Sequence, residues 1–346
     1  MTDPLDEPLV RAALAALEGA GVTYCVRNRP KPGDDLDVIV SRRDAGRAGR
    51  VLQEHGWQRL AAPGHHDHRF FVRRGSAHWL KIDLMTGLRY GPRSWPADGL
   101  LQRRRSVDGL WVAGPADEAR HRELRAAGFR ESPSRRERLA RCLPVGLRRR
   151  GCVVAVVGPD GAGKGTVLDG VTAALPVAVT RVYLGGPRSA KPAPGSGRAS
   201  APRRPSAWLE AAWLVRRAVR LWALMGVAYL RAWLGHVVLC DRHPVDVVVV
   251  RPRRTPAGAA IERVLFGQAP WPDAMVVLDA PAPVLYARKA EHDIAVLDRW
   301  RGGYLALQVR GAVVVSTQDT VPAAVQACLD VVWSALARRR GWSEEL

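Results

Sequence analysis

A glycine-rich segment at residues 153–166, VVAVVGPDGAGKGT, has the residue types and spacing that phosphate binding requires. An apolar strand leads into the pattern Gly158-x-x-x-x-Gly163-Lys164, and a segment with helical apolar spacing follows. Glycines let consecutive backbone N–H groups curl around an anion, the helix N-terminus adds partial positive charge, and the lysine reaches the β- and γ-phosphates. The segment is therefore predicted to bind a nucleoside triphosphate through Gly158, Gly161, Ala162, Gly163, Lys164, Gly165 and Thr166.

The residues after the loop lysine indicate which kind of phosphate loop this is. Gly165 follows Lys164 directly, and the hydroxyl residue Thr166 comes one position later. This Gly-Lys-Gly-Thr order resembles that of nucleoside monophosphate kinases. The resemblance implies ATP and Mg²⁺ as cofactors, with the metal held largely through water near Thr166 and Asp241.

Charged residues further along the chain extend the resemblance. An all-apolar strand-like run ends in Asp241-Arg242, and a second such run ends in Asp279. Arginines follow at positions 288, 299 and 301. In order and spacing these features resemble the thymidylate kinase-like branch of P-loop kinases over about residues 151–340.

The resemblance implies a role for each of these positions. Asp160 would approach a sugar hydroxyl of the acceptor, Asp241 would lie beside the Mg²⁺–phosphate centre or orient the acceptor, and Arg242 would clamp the acceptor phosphate. Phosphoryl transfer depends on positioning and on positive charge around the transferred group. The lid over that group would contain Arg288, Arg299 and Arg301, for which a solvated helix face is the alternative interpretation.

Three aspartates in the first third of the chain suggest a second site. Asp35 and Asp37 lie two apart in a strand-like run, so their side chains point to the same face, and Asp83 lies in another strand-like run. Such a set can hold two Mg²⁺ ions for nucleotidyl transfer, and residues 8–120 resemble the minimal nucleotidyltransferase fold. The Gly-Ser pair of that fold is replaced by a segment containing Arg27, an alternative anion contact. A turn with solvated aspartates is the competing interpretation, so activity of this domain stays open.

A histidine cluster, His65-His66-Asp67-His68, is compatible with a metal site or with a polar hairpin loop. The loop is favoured because no partner cluster occurs elsewhere in the sequence.

The apolar pattern divides the chain into an α+β part and an α/β part. Residues 1–114 mix short alternating strands with helices, 115–150 form an Arg-rich linker or helical hairpin, and 151–346 alternate all-apolar strands with helices. Apolar strands without alternation are typical of a sheet covered on both faces, so a five-stranded parallel sheet is expected in the second domain. A Pro/Gly/Ser-rich insertion near 186–206 is predicted to be disordered.

The segment 207–234 predicts one long helix rich in Trp, Leu and Arg. Arg216, Arg220 and Arg231 fall near one face. The helix is either a core element with an arginine edge or a membrane-surface helix.

Composition limits the partners. The chain has 346 residues and a formal net charge of +20, of which residues 119–150 supply eleven Arg against three Glu, and 187–205 supply five basic residues and no acid. Only five of the 53 basic residues are lysines, a skew that makes net charge weak support for a nucleic-acid partner. The odd number of cysteines, five without any CxxC pair, favours a cytoplasmic location, as does the lack of a signal-peptide pattern and of an apolar run of membrane-spanning length.

The sequence therefore predicts an ATP- and Mg²⁺-dependent kinase that acts on a small acceptor such as a nucleoside monophosphate. A sugar, glycan or secondary-metabolite hydroxyl is the alternative acceptor. A nucleotide-sensing protein that binds nucleic acid or regulates a partner is the alternative of another class.

Overall fold

The computed structural model describes residues 7–27, 35–60, 67–75, 79–90, 93–127, 151–186, 207–250 and 255–341. These residues form two compact units, one made of the described residues up to 127 and the other of 151–341. The predicted boundaries at 114 and 150 stay predictions. All but the first residue of the predicted insertion at 186–206, and part of the Arg-rich segment, lie outside the described residues.

The first unit contains four helices and nine strands among its described residues. The helices are α1 (Pro8–Gly19), α2 (Ala45–Glu54), α3 (Ala97–Gln102) and α4 (Pro115–Ala126). The strands are β1 (Tyr24–Val26), β2 (Leu36–Val40), β3 (Gln58–Arg59), β4 (His68–Arg74), β5 (Trp79–Met85), β6 (Gly87–Tyr90), β7 (Arg93–Pro96), β8 (Arg105–Val107) and β9 (Leu110–Val112).

Seven of these strands form one mixed sheet in the order β3-β4-β5-β2-β1-β9-β8. Alternation along β2 sends Leu36, Val38 and Val40 into the core with α1 and α2, and sends Ile39 to the opposite face with α3. Asp37 must share the face of Ile39. The sheet is therefore covered on both faces, and one of them carries a carboxylate beside an apolar cluster.

The second unit contains a smaller set of strands joined by helices. The strands are β10 (Cys152–Val157), β11 (Val179–Tyr183), β12 (Val237–Asp241), β13 (Ala274–Asp279) and β14 (Val313–Ser316). The helices are α5 (Lys164–Ala174), α6 (Ala207–Trp233), α7 (Asp246–Val250), α8 (Pro256–Leu265), α9 (Ala282–Arg288), α10 (Ile294–Leu305) and α11 (Val321–Arg340), with a 3₁₀ turn at Ala306–Arg310.

The five strands form one parallel sheet in the order β11-β12-β10-β13-β14, which confirms the predicted five-stranded parallel sheet. Every residue of the central strand β10 is buried, as expected for a strand covered on both faces. Helices α5 and α11 pack closely, and a Cβ at Gly170 would lie 2.6 Å from a methyl group of Val325. Because all five strands run the same way, the residues that follow their carboxyl ends meet at one edge of the sheet.

Candidate active site

The phosphate loop leaves β10 and presses its backbone against the neighbouring strand and helix. Gly158 has φ +147° and Gly161 has φ +88°, both in the region that favours glycine. A Cβ at Gly158 would lie 2.5 Å from the carbonyl oxygen of Leu278, and a Cβ at Gly161 would lie 2.6 Å from that of Leu285. Glycine is therefore required at both positions, because any side chain would push the loop away from β13 and α9.

The loop presents backbone amides to solvent at the start of α5. Among the residues that the structure describes, the amides of Gly161, Gly163, Lys164 and Gly165 have no backbone acceptor. Gly163 has φ +76° and is the N-cap of α5, so the first-turn amides of the helix have no acceptor within the helix. An anion such as a phosphate fits these donors and the positive end of the helix.

Lys164 lies under the loop with only 9% of its surface exposed. Its Nζ donates hydrogen bonds of 2.8 Å to the carbonyl oxygens of Gly158 and Pro159. Burial, together with the nearby charge of Arg242, lowers the pKa of Lys164 to about 8, against the opposing effect of Asp160 and other carboxylates. An anion bound in the loop would stabilise the charged ammonium.

Asp160 and Arg242 join the phosphate loop to the end of β12. The guanidinium of Arg242 donates to Asp160 Oδ1 at 2.8 Å and to Asp246 Oδ2 at 3.3 Å, while Lys164 Nζ lies 3.8 Å from Asp160 Oδ1. Burial acts to raise the pKa of Asp160, but Lys164 and Arg242 outweigh it and the pKa lies below its usual value. The cations of Lys164 and Arg242 thus both lie next to the ionised carboxylate of Asp160.

The backbone of Arg242 is held in an unfavourable conformation. Its φ is +78°, which costs a side chain with a Cβ about 1–2 kcal/mol. The amide of Arg242 donates to the carbonyl of Val156 at 3.0 Å, which fixes the residue against the central strand. The strain directs the guanidinium toward the phosphate loop, and such outliers occur at functional sites.

Asp246 is a buried carboxylate that the sequence analysis did not single out. It is 5% exposed, and its Oδ1 has no hydrogen-bond partner among the described residues. Burial raises the pKa of Asp246 to about 6, although Arg242 and Lys164 act to lower it. The hydroxyl of Tyr304 is buried close to Asp246, and burial first and then the charge of Asp246 raise the pKa of Tyr304.

The predicted metal residues of the kinase domain lie near the loop. Asp241 ends β12, in register with Val156 of β10 and Tyr183 of β11, and its charge acts to raise the pKa of Lys164. Within the described ranges no hydrogen bond or ion pair involves the Asp241 carboxylate. Thr166 is exposed in the first turn of α5. The carboxylate of Asp241 and the hydroxyl of Thr166 are therefore both available to a ligand.

The three predicted lid arginines have different surroundings. Arg301 forms a two-pronged ion pair with Asp279 at the end of β13, with distances of 2.7 and 3.0 Å. Arg288 donates to the carbonyl of Thr317 at 2.7 Å. Arg299 is exposed on α10 and has no polar partner in the described part of the chain. The structure thus places two of the three on protein acceptors at the sheet edge, and their lid role stays a prediction.

A potential cation-binding group lies at the rim of this site. Within the part of the chain that is described, the one set of three potential ligands whose atoms all lie within 4.8 Å of one another is Asp160, Glu291 and His292. His292 Nε2 is 3.7 Å from Asp160 Oδ2, and Lys289 pairs with Glu291 at 3.0 Å. Because protein cations already surround the two carboxylates, little negative charge remains for a metal ion.

In the first unit, the predicted metal residues share one face of the sheet. Asp37 and Asp83 are direct neighbours in the parallel register of β2 and β5, with Arg27 2.6 Å from Asp37 and His68 2.7 Å from Asp83. Asp83 is 7% exposed, and its Oδ1 has no hydrogen-bond partner in the described ranges. Asp35 pairs instead with Lys81 at 3.3 Å. The structure brings two of the three predicted carboxylates together, each with a protein partner.

The histidine cluster is described only in part. His65 and His66 lie outside the described residues, while His68 contacts Asp83. The remaining member, Asp67, accepts a hydrogen bond from Arg42 at 2.9 Å. The choice between a loop and a metal site at this cluster stays untested.

Sequence reasoning missed several residues around the kinase site. Asp246 lies four residues after Arg242 on the first turn of α7, so its spacing could have revealed an ion pair. The sequence shows Asp279 only as the acidic end of a strand, and its arginine partner, Arg301, lies 22 residues further along the chain. His292 gave no signal, because its position follows from the turn between α9 and α10.

The fold and the site together define a class of protein. A five-stranded parallel sheet carries a glycine loop with a buried lysine after its central strand, and an Asp-Arg pair ends the adjacent strand. This combination defines a P-loop nucleotide-binding protein of the kinase type.

Comparison with known proteins gives the family. The chain is 31% identical over 212 residues to the thymidylate kinase of Xanthomonas euvesicatoria pv. vesicatoria, which covers 57% of this chain and 90% of that protein. It is 31% identical over 213 residues to the thymidylate kinase of Xanthomonas campestris pv. campestris, and 30% identical over 212 residues to that of Xanthomonas oryzae pv. oryzae, in each case over 57% of this chain and 89% of the relative. No protein-family model matches the chain.

The chain therefore belongs to the thymidylate kinase family, and it is a kinase that uses ATP. The comparisons cover 57% of the chain, and the resemblance of the first unit to nucleotidyltransferases stays a prediction.

Proposed function

We propose that the enzyme transfers the γ-phosphoryl group of ATP, with Mg²⁺, to the phosphate of a nucleoside monophosphate, and that thymidylate is the acceptor. The observation that carries the proposal is Arg242, whose guanidinium lies beside Asp160 of the phosphate loop and close to Lys164. A second cation next to the triphosphate site fits an acceptor that brings its own phosphate. A sugar hydroxyl offers no anion that could replace Asp160 as the partner of this arginine.

The loop supplies the donor side of the reaction. The amides of Gly161, Gly163, Lys164 and Gly165 would hold phosphate oxygens, and the ammonium of Lys164 would exchange its two carbonyl acceptors for the β- and γ-phosphates. The accessible oxygens of Thr166 and Asp241 are hard donors of the kind that Mg²⁺ prefers, directly or through water. When bound, Mg²⁺ supplies positive charge to the phosphate oxygens.

The acceptor side would use the residues after β12. Arg242 would turn from Asp160 toward the acceptor phosphate, which leaves Asp160 free to accept a hydrogen bond from a sugar hydroxyl. An acceptor phosphate oxygen then attacks the γ-phosphorus as the bond to the β,γ-bridging oxygen breaks, giving ADP and a nucleoside diphosphate.

The lid arginines would complete the positive charge around the transferred group. Arg299 is exposed without a polar partner in the described residues, so it can turn toward ligand without losing a contact. Arg301 and Arg288 would first have to leave Asp279 and Thr317. We infer that Arg299 moves most readily of the three.

An acceptor panel tests the proposal. ADP formation should be measured with thymidylate, the other nucleoside monophosphates, thymidine and simple sugars, with the phosphorylated product identified by chromatography. Thymidine is the matched control because it differs from thymidylate only in lacking the phosphate. We expect thymidylate to exceed thymidine by at least about 10²–10³-fold in kcat/KM, because thymidine lacks the phosphate oxygen that attacks the γ-phosphorus. Faster turnover of thymidine or a sugar would establish the hydroxyl kinase alternative instead.

We also propose that the first unit holds a divalent cation in a nucleotidyltransferase-like site. The supporting observation is the in-register pair Asp37 and Asp83 with the unpartnered, buried Oδ1 of Asp83. Carboxylate oxygens suit Mg²⁺ or Mn²⁺, so the donor set fits such an ion. Arg27 would move from Asp37 to an anionic substrate when the cation binds.

Manganese binding tests this second site. Binding of Mn²⁺ to the full-length protein can be followed by electron paramagnetic resonance without any assay of activity. Asp83→Asn should weaken Mn²⁺ binding at this site by at least about tenfold, because the affinity of such sites depends on the number of charged carboxylate ligands and the variant leaves only one. Asp98→Asn, which changes an aspartate on α3, serves as the control. Unchanged Mn²⁺ binding in Asp83→Asn would reduce the unit to a scaffold.

Predictions about location and partners stay predictions. They include the cytoplasmic location and, as a secondary possibility, a nucleic-acid partner for the Arg-rich stretch 119–150; the sequence leaves the oligomeric state open. Among the described residues, no helix has the length and apolar character to cross a membrane.

A further inference from the structure

Arg242 has two carboxylate partners, and they bind different nitrogens of its guanidinium. Nη2 donates to Asp160 Oδ1 at 2.8 Å, and Nη1 donates to Asp246 Oδ2 at 3.3 Å. Because each carboxylate occupies a separate nitrogen, the guanidinium can exchange one partner while it keeps the other. The surroundings of the two carboxylates indicate which partner is exchanged.

Asp160 is the partner that a ligand can replace. Its side chain lies on the phosphate loop and is 21% exposed, so solvent reaches the carboxylate. Lys164 Nζ lies 3.8 Å from Asp160 Oδ1. If Arg242 leaves, the carboxylate of Asp160 therefore keeps a second cation and gains water.

Asp246 is enclosed by protein and cannot be compensated in this way. Its side chain is 6% exposed at the first residue of α7. Helix α10 packs tightly on α7, because a Cβ at Gly303 would lie 2.8 Å from a methyl group of Val249, and the adjacent Tyr304 is buried close to Asp246. A buried carboxylate without its cation is strongly unfavourable, so the contact between Asp246 and Arg242 is the one to be retained.

The turn that carries both Arg242 and Asp246 is fixed by the histidine between them. His243 is 2% exposed, and its Nδ1 accepts from the amide of Val245 at 3.2 Å while its Nε2 donates to the carbonyl of Pro270 at 3.1 Å. Burial lowers the pKa of His243 to about 4, so the ring is neutral and one nitrogen accepts while the other donates. The imidazole thus ties the turn to the segment that precedes β13.

We propose that Asp246 is a positioning residue for the kinase reaction, which holds Nη1 of Arg242 throughout while Nη2 exchanges Asp160 for an oxygen of the acceptor phosphate. This inference rests on the proposed role of Arg242 at that phosphate. A long side chain loses rotamer freedom when it is ordered, and a retained carboxylate removes that freedom before the acceptor binds. Asp246 acts only through Arg242 and does not touch the substrate.

Asp246→Asn tests the proposal in the full-length protein with ATP, Mg²⁺ and thymidylate. The amide keeps the shape of the side chain but replaces a charge-assisted hydrogen bond to Nη1 by a weaker one. We expect kcat/KM for thymidylate to fall about tenfold, mainly through a higher KM for thymidylate. The KM for ATP should change by less than about twofold, because the phosphate loop is unaltered.

Combination with Arg242→Gly separates positioning from a general loss of structure. If Asp246 acts only through Arg242, Asp246→Asn should change kcat/KM for thymidylate by less than about twofold in the Arg242→Gly protein. A loss of structure would lower kcat/KM by the same factor in both backgrounds. Activities are compared at a temperature at which denaturant unfolding shows every variant to be folded.

Asp169→Asn is the matched control, because it makes the same change at an exposed carboxylate on α5 that pairs with Arg181. It should keep kcat/KM within about twofold.

The outcomes separate this inference from the proposed acceptor. Loss of activity in Arg242→Gly together with unchanged kinetics in Asp246→Asn would overturn the positioning role and leave the proposed function standing. Equal losses from Asp246→Asn in both backgrounds, or an equal rise in the KM for ATP, would overturn it as well. Full turnover of thymidylate by Arg242→Gly would overturn both proposals.

Discussion

Lys164→Met should lower kcat/KM for ATP-dependent phosphoryl transfer by about a thousandfold while the protein stays folded. The substitution keeps the length of the side chain and removes the one cation that lies beneath the phosphate loop, 2.8 Å from the carbonyls of Gly158 and Pro159. Without it, no ammonium stabilises the negative charge that develops on the oxygens between the β- and γ-phosphorus atoms in the transition state. Steady-state kinetics with the best acceptor from the panel measure the loss.

The fold should tolerate this change. Burial and the charge of Arg242 already lower the pKa of Lys164 to about 8, so the native state pays for keeping the ammonium charged. Removing the charge relieves that cost, while two hydrogen bonds are lost. We expect the free energy of unfolding to change by no more than about 1–2 kcal/mol. Denaturant unfolding of the two proteins provides this comparison.

Lys289→Met is the matched control for Lys164→Met. Lys289 is 46% exposed and pairs with Glu291 at 3.0 Å. Its substitution therefore removes a lysine charge from the same region and leaves the residues of the phosphate loop unchanged. Its effect on kcat/KM should stay within about threefold, since exposed ion pairs contribute little. Full turnover by Lys164→Met would place the phosphoryl transfer elsewhere in the chain.

The phosphate loop could be predicted from sequence because its geometry is local. Glycine spacing, the preceding apolar strand and the following helix all lie within 153–174, and the chain connects them directly. The five-stranded parallel sheet was also predictable, since uniformly apolar strands such as β10 require cover on both faces. The spacing of Asp35 and Asp37 likewise predicts a shared face, although β2 itself begins only at Leu36.

The pairing of charges could not be predicted, because it depends on which strands become neighbours. Arg301 binds Asp279 across a separation of 22 residues, and Arg242 binds Asp160 across 82. Sequence spacing gives no measure of such distances. The resemblance therefore suggested phosphate ligands for both arginines, whereas the protein without ligands holds them on its own carboxylates.

Arg242→Gly should lower kcat/KM for the acceptor by about 10²–10³-fold and raise the KM for the acceptor more than that for ATP. Glycine removes the guanidinium and adopts the φ of +78° without strain, so the loss of activity reports the missing guanidinium and not a change in the backbone. Arg242→Lys, which keeps the charge and loses the planar fork, should recover only part of the activity.

A structural role for Arg242 predicts a different outcome and can be separated from this one. Arg242→Gly leaves the 5% exposed carboxylate of Asp246 without its cation, which should cost about 3–5 kcal/mol of stability, less the strain released at residue 242. Adding Asp246→Asn removes the buried charge and should restore most of the stability. If Arg242 binds the acceptor phosphate, this double variant stays inactive although it is stable. Recovery of activity together with stability would mean that Arg242 only neutralises Asp246, because then any arrangement without the buried charge would serve the reaction equally well.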